Sequence, residues 1–286
     1  MSVRIIVDSA SDITLGNATD AGLGFAPLKT ILAGTEYRDG VDITPDTFYD
    51  KLRENKELAR TSQVNVGEFA ALFEAAVKAG DEVLVITISS GLSGTYQSAM
   101  IAAAEYEGKV FVVDTLSATA GEQVLVAQAV KLRDAGKSAS EIYTELDALR
   151  KKLRLLLRVE TLEYLKRGGR VSKTAAFVGG MLHFMPVLTL NGEGKLETVG
   201  KARGVRLSHK MVNDAIKAAG GIDFSYPVAI TYAGDVNDGA VAAYLADSKE
   251  IYGENADKVM IGQLGCVIGT HTGPGAIIVS FVAKQN

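Results

Sequence analysis

The order of apolar and polar positions predicts different arrangements in the two halves of the chain. In the first half, continuous apolar runs predict buried strands at 4–7, 25–32, 82–88 and 110–114. Apolar residues at helical spacing predict helices over about 46–55, 67–79, 95–104, 119–135 and 140–152. Apolar strands that alternate with helices in this way are typical of a parallel sheet covered by helices on both faces.

The second half of the chain predicts a partly antiparallel sheet. The runs 186–190 and 195–199 flank Asn191-Gly192-Glu193-Gly194, which is typical of a hairpin turn. Other elements follow, with strands predicted at 228–232, 258–262 and 276–282 and helices near 206–219 and 238–251.

These patterns predict an α/β fold with two lobes. The N-terminal lobe, residues 1–155, is predicted to hold a mostly parallel sheet flanked by helices. The C-terminal lobe, residues 156–286, is predicted to hold a mixed or antiparallel sheet with helices. We place the boundary near 152–160, where the basic run Arg150-Lys151-Lys152 meets an apolar run.

Composition narrows the classes of function. The 286 residues are 47% hydrophobic and 22% charged, which suffices for a core and excludes a disordered chain. There are 30 Lys and Arg against 34 Asp and Glu, and no basic tract, so no nucleic-acid partner is expected. No apolar stretch approaches 18 residues, and the N-terminus reads as a strand rather than a signal peptide. We therefore expect a cytoplasmic protein that does not span a membrane.

The chain lacks the cysteines for an internal disulfide and the ligand spacing for a zinc site. Cys266 is the single cysteine, which excludes an internal disulfide and a cysteine-rich zinc site. His183, His209 and His271 are far apart and lack the spacing of metal ligands.

The loop 89–95, Ser-Ser-Gly-Leu-Ser-Gly-Thr, is the most informative segment. It leaves the carboxyl end of a buried strand and enters a helix, where open α/β sheets bind ligands and where amides and hydroxyls can hold an anion. The alternative is a tight turn with Ser93 as a helix cap. The loop matches neither a Walker A motif, nor a dinucleotide fingerprint, nor a nucleophile elbow.

Three other segments could carry chemistry. Residues 61–63, Thr-Ser-Gln, read either as a turn leading into a helix or as part of a site. Residues 269–275 are glycine-rich, and we expect a connection before the last strand, too small and flexible for a packed element, with His271 as a polar wall. Gly168-Gly169 ends one helix and Ser172 begins another, but these helix signals do not account for Arg170. Arg203 follows the hairpin strand. Single surface arginines are usually only solvated, so each arginine has a plain alternative to a functional role.

Taken together, these segments resemble the DegV family over almost the whole chain. The matching pieces are Asp8-Ser9-Ala10-Ser11-Asp12, Thr61-Ser62-Gln63, the stretch from Ile88 to Ala99, Val113-Asp114-Thr115, the stretch from Leu165 to Ser172, and His271-Thr272-Gly273-Pro274-Gly275. Each piece alone is weak evidence for the family, but the whole set in this order and spacing is specific to it.

The resemblance implies a protein that binds one long-chain fatty acid, such as palmitate, in a tunnel between the two lobes, with no other cofactor. It implies that the hydroxyls of Thr61 and Ser93 hold the carboxylate. Gly94 is expected beside Ser93 in the same ligand site, and His271 is expected close to the head group.

The resemblance also implies a partner. Some family members are the acyl-binding subunit of a bacterial fatty acid kinase, in which the arginines matching Arg170 and Arg203 bear on kinase engagement or phosphoryl transfer. On this interpretation the chain is a lipid carrier with no catalytic residue of its own, because the kinase supplies the catalytic step.

One segment departs from the family pattern, since His183 precedes Phe184-Met185-Pro186 where many members have a lysine before the proline. That departure weakens the comparison in this segment only. The tunnel lining is expected to draw on apolar residues that could equally form a core helix, namely Ala175, Ala176, Phe177, Val178, Met181 and Leu182.

Two enzyme classes and a regulatory or structural role stay open. A small-molecule phosphotransferase would use the 89–95 loop as a phosphate cradle, with His271 as acid, base or nucleophile, and would bind a nucleotide by itself. A serine hydrolase would use Ser93 as nucleophile and would need a base within reach, for which the sequence offers His271 in no recognisable triad order.

Overall fold

The computed structural model describes residues 2–54, 59–171, 184–234 and 239–284, and its elements largely follow the predicted order. The strands are β1 (Val3–Asp8), β2 (Gly24–Ala26), β3 (Lys29–Leu32), β4 (Thr35–Arg38), β5 (Arg60–Ser62), β6 (Glu82–Thr87), β7 (Val110–Asp114), β8 (Leu153–Arg158), β9 (Phe184–Leu190), β10 (Leu196–Arg203), β11 (Ala229–Tyr232), β12 (Met260–Gln263) and β13 (Ile277–Val282). The helices are α1 (Leu15–Asp20), α2 (Pro45–Glu54), α3 (Val66–Lys78), α4 (Thr95–Ala103), α5 (Ala120–Asp134), α6 (Ala139–Arg150), α7 (Glu163–Arg167), α8 (Val205–Ala218), α9 (Ala240–Asp247), α10 (Lys249–Tyr252) and α11 (Cys266–Thr272).

The N-terminal half forms the predicted parallel sheet, with strand order β2-β1-β6-β7. Residues 83–86 of β6 are completely buried, which explains the continuous apolar run of this strand. Helices α3, α4, α5 and α6 pack against the sheet. Capping boxes begin α3 at Asn65 with Glu68 and α6 at Ser138 with Glu141, so local sequence fixes where these helices begin.

The second half forms a six-stranded mixed sheet in the order β10-β9-β8-β13-β11-β12. Its neighbours are antiparallel except for the parallel pair β11 and β12, as the prediction of a mixed sheet requires. Helix α5 contacts strands of both sheets, and one apolar cluster contains residues of both. The predicted α/β fold class is confirmed; the lobe boundary at 155/156 falls within β8 and stays a prediction.

A third, small sheet corrects the strand predicted at 25–32. That segment forms two strands, because β2 pairs with β1 whereas β3 pairs with β4 and β5 in an antiparallel sheet. Pro27 has no N–H to donate to a strand partner, and the N–H of Leu28 donates to the Ser9 hydroxyl at 3.0 Å. The chain therefore changes sheets at these two residues.

The prediction for the glycine-rich segment near the C-terminus is also wrong. We predicted a flexible connection over 269–275, but residues 266–272 form α11, which is largely buried. Gly269 lets this helix pack closely, since a Cβ atom there would lie 2.5 Å from the Tyr49 hydroxyl. Gly273, with φ +72°, ends the helix. Small residues mark close packing here rather than flexibility.

One other difference is minor. The helix predicted at 238–251 is divided at Ser248 into α9 and α10. The helix predicted to begin at Ser172 and the tunnel residues predicted within 175–182 lie outside the described residues.

Across the part of the chain that the structure describes, no helix has both the length and the apolar character to cross a membrane.

Candidate functional site

A mainly apolar cavity lies between the carboxyl edge of the parallel sheet and the mixed sheet. Its empty volume is about 660 Å³, including its opening to solvent. The loops after β6 and β7, strands β5 and β8, and helix α11 each contribute to its wall. Its apolar lining is Leu28, Ile88, Leu92, Ala118, Leu155, Leu157, Leu165, Leu190, Leu196, Val267, Ile268 and Ile278.

Four residues singled out from the sequence line this same cavity. They are Thr61, Ser93, Arg170 and His271. The Oγ1 atom of Thr61 lies 2.8 Å from Nε2 of His271, although 210 positions separate the two residues along the chain. Thr61 stands on β5, which pairs with β3, rather than in the helix-leading turn considered as an alternative. The fold thus brings a hydroxyl, an imidazole, a second hydroxyl and a guanidinium to one apolar cavity.

The His271 imidazole is neutral over the physiological pH range. Burial lowers its pKa to about 3, and the nearby positive charge of Arg170 acts in the same direction. The ring packs closely against Gly168, where a Cβ atom would overlap Nδ1 of His271. Among the described residues, buried Nδ1 has no hydrogen-bond partner. A neutral imidazole carries one N–H, so its tautomer decides whether Nε2 donates to Thr61 or accepts from it.

The 89–95 loop is held in place by polar contacts to its neighbours. The Ser93 hydroxyl lies 2.9 Å from the Thr95 hydroxyl and accepts from the Thr95 N–H at 3.3 Å, while Gly94 is the N-cap of α4. Ser89 donates to the carbonyl of Gly194 in the β9–β10 turn at 2.8 Å. The loop therefore has a fixed shape that bridges the two sheets.

Gly94 makes room for the side chain of Gln63. A Cβ atom at Gly94 would overlap the amide oxygen of Gln63, whose Nε2 donates to the Ser98 hydroxyl at 2.7 Å. Gly94 is not among the residues that line the cavity, whereas Gln63 is. The glycine thus lets Gln63 reach across the start of α4, and its assignment as a ligand residue stays a prediction.

The two predicted arginines lie in different settings. Arg170 is partly buried, and its Nε and Nη1 donate to the carbonyls of Leu92 at 3.1 Å and Gly168 at 2.5 Å. Burial lowers its pKa. Arg203 ends β10, is exposed, and is not among the residues that line the cavity. The structure therefore places one arginine at the cavity and the other on the surface.

A polar outer cleft adjoins the cavity at Thr61, Arg170 and His271, which line both. Arg60 and Arg167 also line this cleft, and Arg167 pairs with Glu163. The cavity thus has a polar end that faces a cleft with three arginines. In the described part of the chain, no group of three or more His, Cys, Asp or Glu side chains is placed to hold a metal ion.

The sequence matches the DegV family profile over residues 2–284. The chain belongs to the DegV family. A DegV domain-containing protein of Clostridium perfringens is 35% identical over 285 residues, covering 97% of this chain and 96% of the relative. The family predicted from the motifs is therefore confirmed.

Solved structures of other DegV proteins share this fold over their whole length. A fatty-acid-binding DegV protein from Thermus thermophilus has a TM-score of 0.87 and 36% identity, with 99% of this chain and 100% of the other covered. A DegV protein from Eubacterium eligens loaded with heptadecanoic acid has a TM-score of 0.84 and 28% identity, with 99% and 100% covered.

The motifs did not single out three residues that the DegV fold brings to the site. Gln63 and Thr119 line the cavity, and the Thr119 hydroxyl lies 2.8 Å from that of Thr231 on β11. Gly168 supports the His271 ring. Gln63 and Gly168 lie within matched motifs, but the family pattern gives neither of them a role in the ligand site. Thr119 has φ +47°, which no local sequence pattern indicates.

Proposed function

We propose that this protein binds a long-chain fatty acid in the cavity, with the carboxylate held by the hydroxyls of Thr61 and Ser93 beside His271. The observation that carries the proposal is a mainly apolar cavity with both hydroxyls and a neutral imidazole in its wall. The fatty-acid-binding relatives of the same fold support it.

The tautomer of His271 makes Thr61 a suitable donor to a carboxylate. If Nε2 carries the proton, it donates to Thr61 Oγ1, and the Thr61 O–H is then free to donate to the ligand. Nδ1 then holds only a lone pair, so the imidazole itself leaves no buried N–H without a partner. We assign this tautomer to the ligand-bound protein.

The apolar wall suits an acyl chain. Burial of a hydrocarbon contributes about 0.8 kcal/mol per methylene, so about a dozen methylenes contribute roughly 10 kcal/mol before the cost of association. The wall includes leucines from β8, β9 and β10, together with Val267 and Ile268 of α11. We therefore assign specificity for long chains to this wall.

The outer cleft gives the proposed carboxylate a route to a partner. A carboxylate held by neutral donors keeps its negative charge and can attack the phosphoryl group of a donor that a kinase holds, and the rest of the donor departs as the leaving group. Arg170 borders both the cavity and the cleft, and exposed Arg203 is free to contact a protein surface. We assign the chain the role of a carrier that presents its acid to a fatty acid kinase for acyl phosphate formation.

A serine hydrolase is less well supported. The Ser93 hydroxyl contacts Thr95, while Nε2 of His271 contacts Thr61. With its pKa lowered to about 3, chiefly by burial, His271 is also a weak base at neutral pH. The phosphotransferase alternative requires nucleotide binding by the isolated chain, which distinguishes it from a carrier.

Mass spectrometry of the ligand extracted from purified protein tests the proposal. We expect a fatty acid of the C16–C18 class at close to one per chain. The control is protein stripped of lipid and then incubated with a mixture of fatty acids, nucleotides and sugar phosphates. Recovery of a nucleotide or sugar phosphate without any acyl chain would exclude the carrier.

A further inference from the structure

The segment Asp8–Asp12 matches the family pattern, yet the proposed ligand site leaves it without a role. None of these five residues lines the cavity. Three of their side chains accept hydrogen bonds from backbone segments that lead into the site. Asp8 accepts from Ile88 N at 2.8 Å, Ser9 from Leu28 N at 3.0 Å, and Asp12 from Gly265 N at 2.9 Å.

The last of these contacts lies at the first turn of α11, where a second carboxyl group joins it. Asp39 Oδ1 accepts from Cys266 N at 3.1 Å. A Cβ atom at Gly265 would lie 2.8 Å from Asp12 and 3.5 Å from Asp39, so only glycine leaves room for both. Gly265 is the N-cap of α11 and has no side chain to cap it. Carboxyl groups from distant parts of the chain replace the missing cap.

Helix α11 depends on such contacts because it has only seven residues. An isolated helix of that length is unstable, so its position is set by what holds its ends and faces. Its second turn carries His271, whose Nε2 lies 2.8 Å from Thr61. A displacement of the helix that lengthens this distance by about 1 Å would break that hydrogen bond.

We propose that Asp12 and Asp39 are positioning residues, which hold the first turn of α11 so that His271 meets Thr61 at the head-group site. This inference rests on the fatty-acid site proposed above. Asp39 is 2% exposed and does not line the cavity, so any effect on the ligand passes through the residues that it contacts, among them Cys266 at the first turn of α11. Burial raises the pKa of Asp39, and hydrogen-bond acceptance rather than charge is the property that α11 needs.

A conservative variant of Asp39 separates the need for a hydrogen-bond acceptor from the need for a charge. Asp39→Asn keeps an oxygen that can accept from Cys266 N, whereas Asp39→Ala removes the acceptor. We expect Asp39→Ala to lower palmitate affinity about tenfold and Asp39→Asn to lower it by less than about threefold. Asp42→Ala is the control, because Asp42 is an exposed carboxylate three positions away that pairs with Arg38.

A double-mutant cycle shows whether Asp39 acts through His271. Palmitate affinity is measured by calorimetry on lipid-free wild type, Asp39→Ala, His271→Ala and the double variant. We expect the loss caused by Asp39→Ala to disappear in the His271→Ala background, because the imidazole is no longer there to be displaced. An equal loss in both backgrounds, or no loss in either, would overturn the proposal.

A measurement without fatty acid keeps this inference separate from the proposed function. The imidazole NMR signals of His271 should shift in ligand-free Asp39→Ala and stay in place in Asp39→Asn and Asp42→Ala. Unchanged signals in Asp39→Ala would overturn the positioning role even if palmitate binds. Shifted signals together with palmitate affinity that does not depend on His271 would uphold positioning and refute the head-group role. If Asp39→Ala does not fold, Asp12→Ala, which removes the acceptor for Gly265 N, undergoes the same tests and overturns the proposal by the same results.

Discussion

Thr61 and His271 meet at 2.8 Å between Oγ1 and Nε2, one on a short strand of the smallest sheet and the other on a short buried helix. Neither element is adjacent to the other in sequence. The contact joins the sheet formed by β3, β4 and β5 to α11, and it lies in the wall of the apolar cavity that Ser93 and Arg170 also line. This pairing is the basis of the predictions that follow.

Removal of the Thr61 hydroxyl should weaken fatty-acid binding. Loss of one donor to a charged ligand costs about 1.5–3 kcal/mol, or roughly 10–150-fold in affinity. We expect this loss in Thr61→Val and in Ser93→Ala, while Thr61→Ser, which keeps the hydroxyl, stays close to wild type. Calorimetric titration with palmitate, alongside thermal unfolding as a check on folding, measures the effect. Wild-type affinity in both Thr61→Val and Ser93→Ala would place the carboxylate elsewhere.

A substitution that displaces the His271 ring without replacing a polar side chain should also weaken fatty-acid binding. A Cβ atom at Gly168 would overlap Nδ1 of His271, so in Gly168→Ala the ring and the backbone at residue 168 must move apart, which disturbs the contact between Nε2 and Thr61. Gly192→Ala is a matched control, because nothing lies within 4 Å of a Cβ atom there. We expect about a tenfold loss of palmitate affinity in the first variant and none in the second. Equal affinities would show that the position of the ring is irrelevant.

The His271 ring should not titrate near neutral pH. Burial and the Arg170 charge lower its pKa to about 3, so its NMR signals should be constant between pH 8 and pH 5. The His271→Gln variant identifies the signals by their absence. A transition with a midpoint near 6.5 would mean that the imidazole is solvated and charged in acid, contrary to the geometry.

The two arginines should separate binding from delivery. Arg203 is exposed and away from the cavity lining, so Arg203→Ala should leave palmitate affinity within about threefold while acyl phosphate formation by a cognate kinase falls. Arg170 contacts the Leu92 and Gly168 carbonyls at the cavity, so Arg170→Ala should lower both quantities. Parallel losses of affinity and turnover in Arg203→Ala would place that arginine in the ligand site.

Glu122 should make the folded state less stable as the pH rises. It is fully buried, and desolvation together with the charges of Asp8 and Asp12 raises its pKa well above 4.5. Between about pH 4.5, where a glutamate titrates in the unfolded chain, and this raised pKa, the folded chain retains a proton that the unfolded chain has lost. The unfolding free energy therefore falls by about 1.4 kcal/mol per pH unit until the folded-state pKa is reached.

The variant Glu122→Gln removes this dependence, because the amide binds no proton in either state. Urea unfolding at pH 5 and pH 7 should show a smaller decrease in the free energy of unfolding for Glu122→Gln than for wild type. Glu107→Gln, at an exposed position, is the control and should keep the wild-type decrease. Parallel pH dependences in wild type and Glu122→Gln would mean that the buried carboxyl group does not hold a proton.

The sequence by itself determined the elements whose signals are local. The continuous apolar run of β6 and the hairpin turn between β9 and β10 are read from neighbouring residues, and the structure contains both. The family motifs likewise occupy short stretches, and they contain Thr61, Ser93, Arg170 and His271. Periodicity and turn chemistry act within a few residues, which is why these features could be predicted.

Only the tertiary structure decided how these pieces meet. The segment around His271 reads as a loose connection because its glycines have low helix propensity, yet it folds as α11 once Tyr49 packs on Gly269 and two distant carboxyl groups cap its first turn. The division of 25–32 between two sheets depends in the same way on partners elsewhere in the chain. Contacts across more than 200 residues come from global packing, and no local pattern carries them.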